Sequence, residues 1–135
     1  MAYIQLKDIR IAGIATAVPK QTINNKDLIA EFGEKRINRF IRTTGVLERR
    51  VASEYQTASD LGVAATEELF KKKGIDKKTI GALVFASHGP DYKRPATAHV
   101  IQKRLELSEQ CACFDISLGC SAFVYGIQIL GGLMQ

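Results

Sequence analysis

The chain has 135 residues, 46% of them apolar, with no Trp and a formal net charge of +5 at neutral pH. That length suits one compact domain with a real core, carried by Ile, Leu, Val and Ala because aromatics are few. The cations are scattered and not interleaved with aromatics, which argues against a nucleic-acid surface. They read either as solvated helix faces or as attraction for a phosphate-bearing or acidic partner.

In chain order, Ile9 to Ala17 is apolar and β-rich up to Pro19 and predicts a buried strand. Asn25 reads as the N-cap of a short helix carrying Leu28, Ile29 and Phe32, closed by Gly33. Ile37, Phe40, Ile41 and Thr44 repeat at helical spacing up to Gly45, and Val46 to Ser53 predicts a strand. Thr57 and Asp60 form a capping-box pattern. It opens a helix with Leu61, Ala65 and Leu69 on one face, and the helix ends in Lys71 to Lys73 and Gly74. Ile80 to Ser87 predicts a second buried strand. The loop His88 to Arg94 then leads into Pro95 and a helix through Leu105. Cys111 to Ile116 predicts a third strand, with Cys120 at its turn into a last helix over Ser121 to Leu133. Alternating strands and helices predict an α/β fold with much parallel pairing, a mixed sheet covered by helices.

Ile116 to Gln135 contains no charged residue, so a membrane span is a candidate. Its Gly, Ser and Gln residues and the lack of flanking basic clusters favour a central helix buried on all sides instead. The last pattern runs to Gln135 without a cap, so the chain is expected to be the first part of a longer fold.

Three cysteines, Cys111, Cys113 and Cys120, are a poor disulfide framework. With no signal-peptide pattern, they suggest a reducing, cytoplasmic setting. Cys111 and Cys113 share one face of a strand and read as core; no second pair matches them for zinc. Cys120 reads either as a small core residue or as a nucleophile. At a helix N-terminus, backbone N–H groups and the dipole favour a thiolate that can attack a thioester, and the same N–H groups can hold the resulting oxyanion. His99 reads as structural or surface. His88, after a strand, is a loop polar group or a substrate contact, and nothing pairs it with Cys120.

The segment Asp115 to Phe123, with Tyr125, resembles the nucleophile segment of the β-ketoacyl-acyl carrier protein synthase III family, which has a thiolase-like fold. Thr44 to Ala52 resembles the family's T-G-I-x-x-R-x-x-A stretch. Asp91-Tyr92, Pro95 to Ala98 and Ile101-Gln102 resemble its loop and helix before the nucleophile strand. The resemblance spans 1–135 as one N-terminal half-domain and stops at the family's first half. It implies that Cys120 takes an acyl primer from acyl-coenzyme A or an acyl carrier protein, for condensation with a malonyl-carrier protein in fatty-acid or polyketide-type synthesis. No cofactor is implied, and a homodimer is. The family's His and Asn lie in the second half, so the first half alone is expected not to turn over.

The chain departs from the family pattern at substrate-binding positions. Arg39 stands where many members have a Trp, Thr43 where they have an Arg, and Arg94 where a Phe often precedes the loop proline; Ala122 replaces a frequent Gly. These changes point to an unusual or polar primer, to a site that no longer binds an acyl chain, or to delivery by a carrier protein. Two alternatives stay open: a related thiolase-fold acyltransferase of the hydroxymethylglutaryl-coenzyme A synthase type, and a non-catalytic partner subunit.

Overall fold

A computed structural model of the chain describes residues 5–135. They form two compact units, one spanning Val18–Gln56 and the other joining the segment that ends at Ala17 to Thr57–Gln135.

In the smaller unit, strand β1 (Gln21–Asn24) pairs antiparallel with β2 (Glu48–Val51). A 3-10 turn (Asn25–Leu28), the one-turn helix α1 (Ile29–Phe32) and α2 (Glu34–Thr44) connect them. Gly33 and Gly45 end the two helices with positive φ of 82° and 73°, a conformation open to glycine without steric cost. Asn25 is not the cap. Asn24 takes that role, its side-chain oxygen accepting from the Lys26 N–H. Asn25 is instead buried to 2% exposure, where its amide donates to the Val46 carbonyl at 3.0 Å and accepts from Arg49 Nε at 2.8 Å. The reason is tertiary: a buried amide needs partners, and β2 supplies them.

In the larger unit, α3 (Ala58–Lys73) precedes β3 (Ala82–Ala86), α4 (Thr97–Arg104), β4 (Ala112–Ile116) and α5 (Ala122–Leu133). β3 and β4 pair in parallel, Ala82 with Ala112 through Ala86 with Ile116. Successive strand residues face opposite ways. Phe85 therefore meets α3 and α4, near Gly62 and Ile101, while Val84 meets Gly126 of α5. The result is a helix–sheet–helix sandwich with its core among Val63, Phe70, Ile101, Leu105, Leu107 and Cys111. Burying each of the larger side chains contributes about 1.5–3 kcal/mol.

The α/β class stands, with parallel and antiparallel pairing, but in two separate two-stranded sheets. Besides Asn25, three expectations need correction. Ile9 to Ala17 forms no strand, because no strand among the described residues pairs with it. Gly13 lies against Leu69 and Lys73 of α3 instead, and Ile11 and Ile14 are 66% and 79% exposed. On α3, Leu61, Ala65 and Leu69 share a half-buried face as expected, and Val63 and Phe70 enter the core. α4 starts at Thr97, two residues after Pro95.

The third correction concerns α5. It is not buried on all sides: Ala122, Gly126 and Gly131 pack inward, while Phe123 is 67% exposed and Val124, Tyr125 and Leu133 are open as well. Small residues make the inward face, since a Cβ at Gly131 would stand 2.5 Å from Leu6 Cδ1. No helix among the described residues is long and apolar enough to cross a membrane.

The capping box of α3 forms as the sequence implies, with the Thr57 N–H donating to Asp60 Oδ2 at 2.8 Å. Asp60 also pairs with Arg104 at 2.8 Å. The Thr57 N–H above all, then Arg104, holds the Asp60 carboxyl below the usual carboxylate range. A depressed folded-state value stabilises the fold above the unfolded value of about 3.9, and that contribution is lost as the pH falls through the folded value. The melting-temperature gap between the natural chain and Asp60→Asn is therefore expected at pH 6–7 and should close on acidification through the carboxylate range. Thermal melts followed by circular dichroism check it; a gap independent of pH would refute the ionic cap.

Candidate functional site

Cys120 occupies the turn between the C-terminal end of β4 and the start of α5. The Ala122 N–H donates to the Gly119 carbonyl at 3.0 Å, closing a tight turn around Cys120 and Ser121, and the Tyr125 N–H to Ser121 carbonyl bond begins the helix. An uncapped helix start leaves its first N–H groups without intrahelical acceptors. The thiol is free and exposed. A thiol at the carboxyl end of a parallel strand occupies the position where open α/β sheets commonly bind ligands.

The other two thiols differ. Cys111 is buried in the core, and its sulfur lies 3.8 Å from that of Cys113. Burial, reinforced by the Cys111 thiol, pushes the Cys113 thiol up to about 12, so it stays neutral near pH 7. Both fit the core role read from their spacing.

A polar network holds the segments beside this turn. Asp115, five residues before Cys120, accepts the Thr97 N–H and the Ala98 N–H at 2.7 Å each, capping α4 from the neighbouring strand. The Thr97 hydroxyl accepts the Asp91 N–H at 3.2 Å. The Asp91 carboxylate in turn accepts the Thr57 hydroxyl at 2.7 Å. Arg104 donates to the buried Ser59 hydroxyl at 3.0 Å. Sequence reasoning did not assign Asp115 this role. The available signal was an acidic residue in an otherwise apolar strand, which must find donors when folded.

Arg94 lies exposed in the loop before Pro95, in the same unit as Cys120. Arg39 and Thr43 are exposed on α2, in the smaller unit. His88 and His99 are both exposed, and no hydrogen bond among the described residues joins either to Cys120. Among the described residues no group of three or more His, Cys, Asp or Glu side chains could hold a metal ion.

No protein-family model matches the chain. It is 37% identical over 130 residues to the β-ketoacyl-[acyl-carrier-protein] synthase III of Clostridium beijerinckii, covering 96% of this chain and 39% of that protein. Among solved structures, the 3-oxoacyl-(acyl-carrier protein) synthase of Burkholderia xenovorans superposes with a TM-score of 0.90 at 35% identity, over 93% of this chain and 36% of that one. OleA of Xanthomonas campestris superposes with a TM-score of 0.84 at 25% identity, over 95% of this chain and 39% of that one. The chain thus spans about two-fifths of the length of the curated relatives it matches. Its fold is the N-terminal part of the thiolase-like fold of these enzymes.

Proposed function

Because the chain corresponds to the N-terminal two-fifths of β-ketoacyl-[acyl-carrier-protein] synthase III proteins, we propose that Cys120 is the acyl-accepting nucleophile of such a condensing enzyme. The observation that carries this reading is a single exposed thiol at the strand-to-helix turn, beside two thiols sequestered in and next to the core. The Cys120 thiolate attacks the carbonyl of an acyl thioester. The tetrahedral oxyanion is held by backbone N–H groups of the turn, and its collapse expels the coenzyme A or carrier thiolate, leaving the acyl group on sulfur. In the second half-reaction a malonyl thioester loses carbon dioxide. Its carbanion attacks the acyl carbonyl, forms the carbon–carbon bond and releases the Cys120 thiolate.

Condensation needs groups that stabilise the developing enolate. The resemblance places those, a His and an Asn, beyond these 135 residues, so this chain is proposed to acylate without turning over. By the resemblance, Arg39 and Thr43 are substrate-binding positions, Arg39 standing where many members stack a Trp on the adenine of coenzyme A. By the resemblance, Arg94 stands where a Phe often reaches the partner subunit's acyl pocket, and an Arg there favours a polar primer. The test is intact-mass spectrometry after incubation with acetyl-, malonyl- and longer acyl-coenzyme A. A single acyl adduct mapping to Cys120 and absent in Cys120→Ser supports the reading; an adduct on another residue, or none from any donor, overturns it.

The exposed α5 face also bears on assembly. Phe123, Val124, Tyr125, Leu133 and Met134 leave a large apolar area in water, and such patches drive association. The chain is expected to be a dimer or larger at tens of micromolar by multi-angle light scattering. A stable monomer there would count against the homodimer.

A further inference from the structure

β4 is entered through a short turn that sets two sulfurs side by side. The Cys111 N–H donates to the Ser108 carbonyl at 3.0 Å. The Gln102 side-chain amide donates to the carbonyls of Ser108 at 2.8 Å and Cys111 at 3.4 Å. Just beyond, the Ala112 N–H donates to the Gly81 carbonyl at 2.9 Å, and Cys113 stands opposite Leu83 in the ladder. The backbone is therefore tied on both sides of Ala112, and the Cys111 and Cys113 sulfurs lie 3.8 Å apart. Both thiols are free. Cys111 is 5% exposed within the core cluster, whereas Cys113 is only partly buried against it. One sulfur can thus be approached from solvent, and the second lies in contact with it. Cys120 follows the other end of β4.

We propose that this pair is a two-sulfur binding site for a trivalent arsenical carrying one organic group. Three observations select that ligand class. First, a tetrahedral soft-metal site with metal–sulfur bonds of about 2.3 Å sets its sulfurs about 3.8 Å apart, so the pair already spans one soft centre. Second, among the described residues no group of three or more His, Cys, Asp or Glu side chains could complete a four-coordinate ion. Arsenic that brings its own organic group needs only two sulfurs. Third, the pair is poorly suited to a disulfide. Two residues along an extended chain lie about 6.6 Å apart, near the upper end of what a disulfide bridges without moving the backbone. Burial also keeps the Cys113 thiol neutral, which slows oxidation that proceeds through the thiolate. Exchange at arsenic needs no oxidant. The arsenic–oxygen bonding of an arsine oxide is replaced by two arsenic–sulfur bonds, and the two thiol protons leave with the oxygen as one molecule of water. Arsenic stays trivalent throughout. Because the exchange is reversible, the product is governed by the high effective concentration of the second sulfur.

The experiment incubates the full chain with phenylarsine oxide in excess 2-mercaptoethanol and reads the adduct by native mass spectrometry. A single phenylarsenic group, less two hydrogens, should be retained against the monothiol and removed by 2,3-dimercaptopropanol. Cys111→Ala and Cys113→Ala should each lower retention at least ~10²-fold, because each leaves one sulfur without its chelating neighbour. Circular-dichroism melts identify the variants that fold, and Cys113→Ala carries the test if the core substitution at Cys111 does not. Cys120→Ser should keep the adduct, so this site and the acylation reading stand or fall separately. Three results overturn the proposal: no adduct on the folded chain, loss of the adduct in Cys120→Ser, or a folded Cys113→Ala that retains it as well as the natural chain.

Discussion

Iodoacetamide at neutral pH is expected to modify Cys120 first, at least ~10²-fold faster than Cys111 or Cys113. The thiolate is the species that reacts, and it must also be reached. With its thiol pushed up to about 12, Cys113 presents roughly one part in 10⁵ of itself as thiolate at pH 7, by the ionisation equilibrium. Cys111 is 5% exposed and packed into the core cluster, so its reaction requires local opening. Cys120 is exposed, so its reaction requires no opening. Peptide mapping of a time course should therefore show one fast site, and Cys120→Ala should abolish the fast phase while keeping the slow one. The slow phase should accelerate in urea, because global opening exposes the other two sulfurs. Equal or faster labelling of Cys111 or Cys113 in the folded chain would contradict the exposed-turn geometry. Fast labelling would establish access and not chemistry, which is why the acyl-transfer experiment is separate.

What the sequence disclosed was local, and what it concealed was non-local. Thr57 with Asp60, Gly74 after three lysines, and Gly45 after α2 were legible because capping is decided within a few residues. The two-residue spacing of Cys111 and Cys113 placed them on one face without knowledge of the sheet. The turn at Cys120 followed from a strand pattern meeting an apolar helix pattern across Gly119. Ile9 to Ala17 misled because apolar β-branched residues favour a strand only where a neighbouring strand supplies the ladder. Asn25 was misread because its partners, Val46 and Arg49, lie more than twenty positions away. The uncharged run after Ile116 signalled low polarity but not which face of α5 would be covered. Of the candidate site, the thiol at the strand-to-helix turn was legible, whereas the donors that fix its surroundings were not.

Asp115→Ala is expected to destabilise the larger unit by about 3 kcal/mol, because it orphans two buried N–H groups at once. Thr97 and Ala98 are fully buried, and their N–H groups belong to the first turn of α4, where no intrahelical acceptor exists. The carboxylate takes one N–H on each oxygen at 2.7 Å, the short distance characteristic of charge-assisted bonds. Each donor left without a partner costs about 1–3 kcal/mol, and water cannot replace the carboxylate where both residues are closed to solvent. Asp115→Asn should lie between the two, since its single carbonyl oxygen keeps one bond while its NH₂ confronts the other donor. Urea denaturation followed by far-ultraviolet circular dichroism should give the order natural chain, Asn, Ala in midpoint. The natural chain and the Ala variant should have similar slopes if both unfold from the same compact state. The cap also ties β4 to the α4 start and, through Thr97 and Asp91, to the loop that carries Arg94. The Ala variant should therefore lose selectivity in thiol labelling, with Cys111 and Cys113 reacting faster as the β4 region opens more often. An Ala variant with an unchanged urea midpoint would mean that α4 finds another cap, and an unchanged labelling ratio in a destabilised variant would mean that Asp115 does not hold β4 closed over the core.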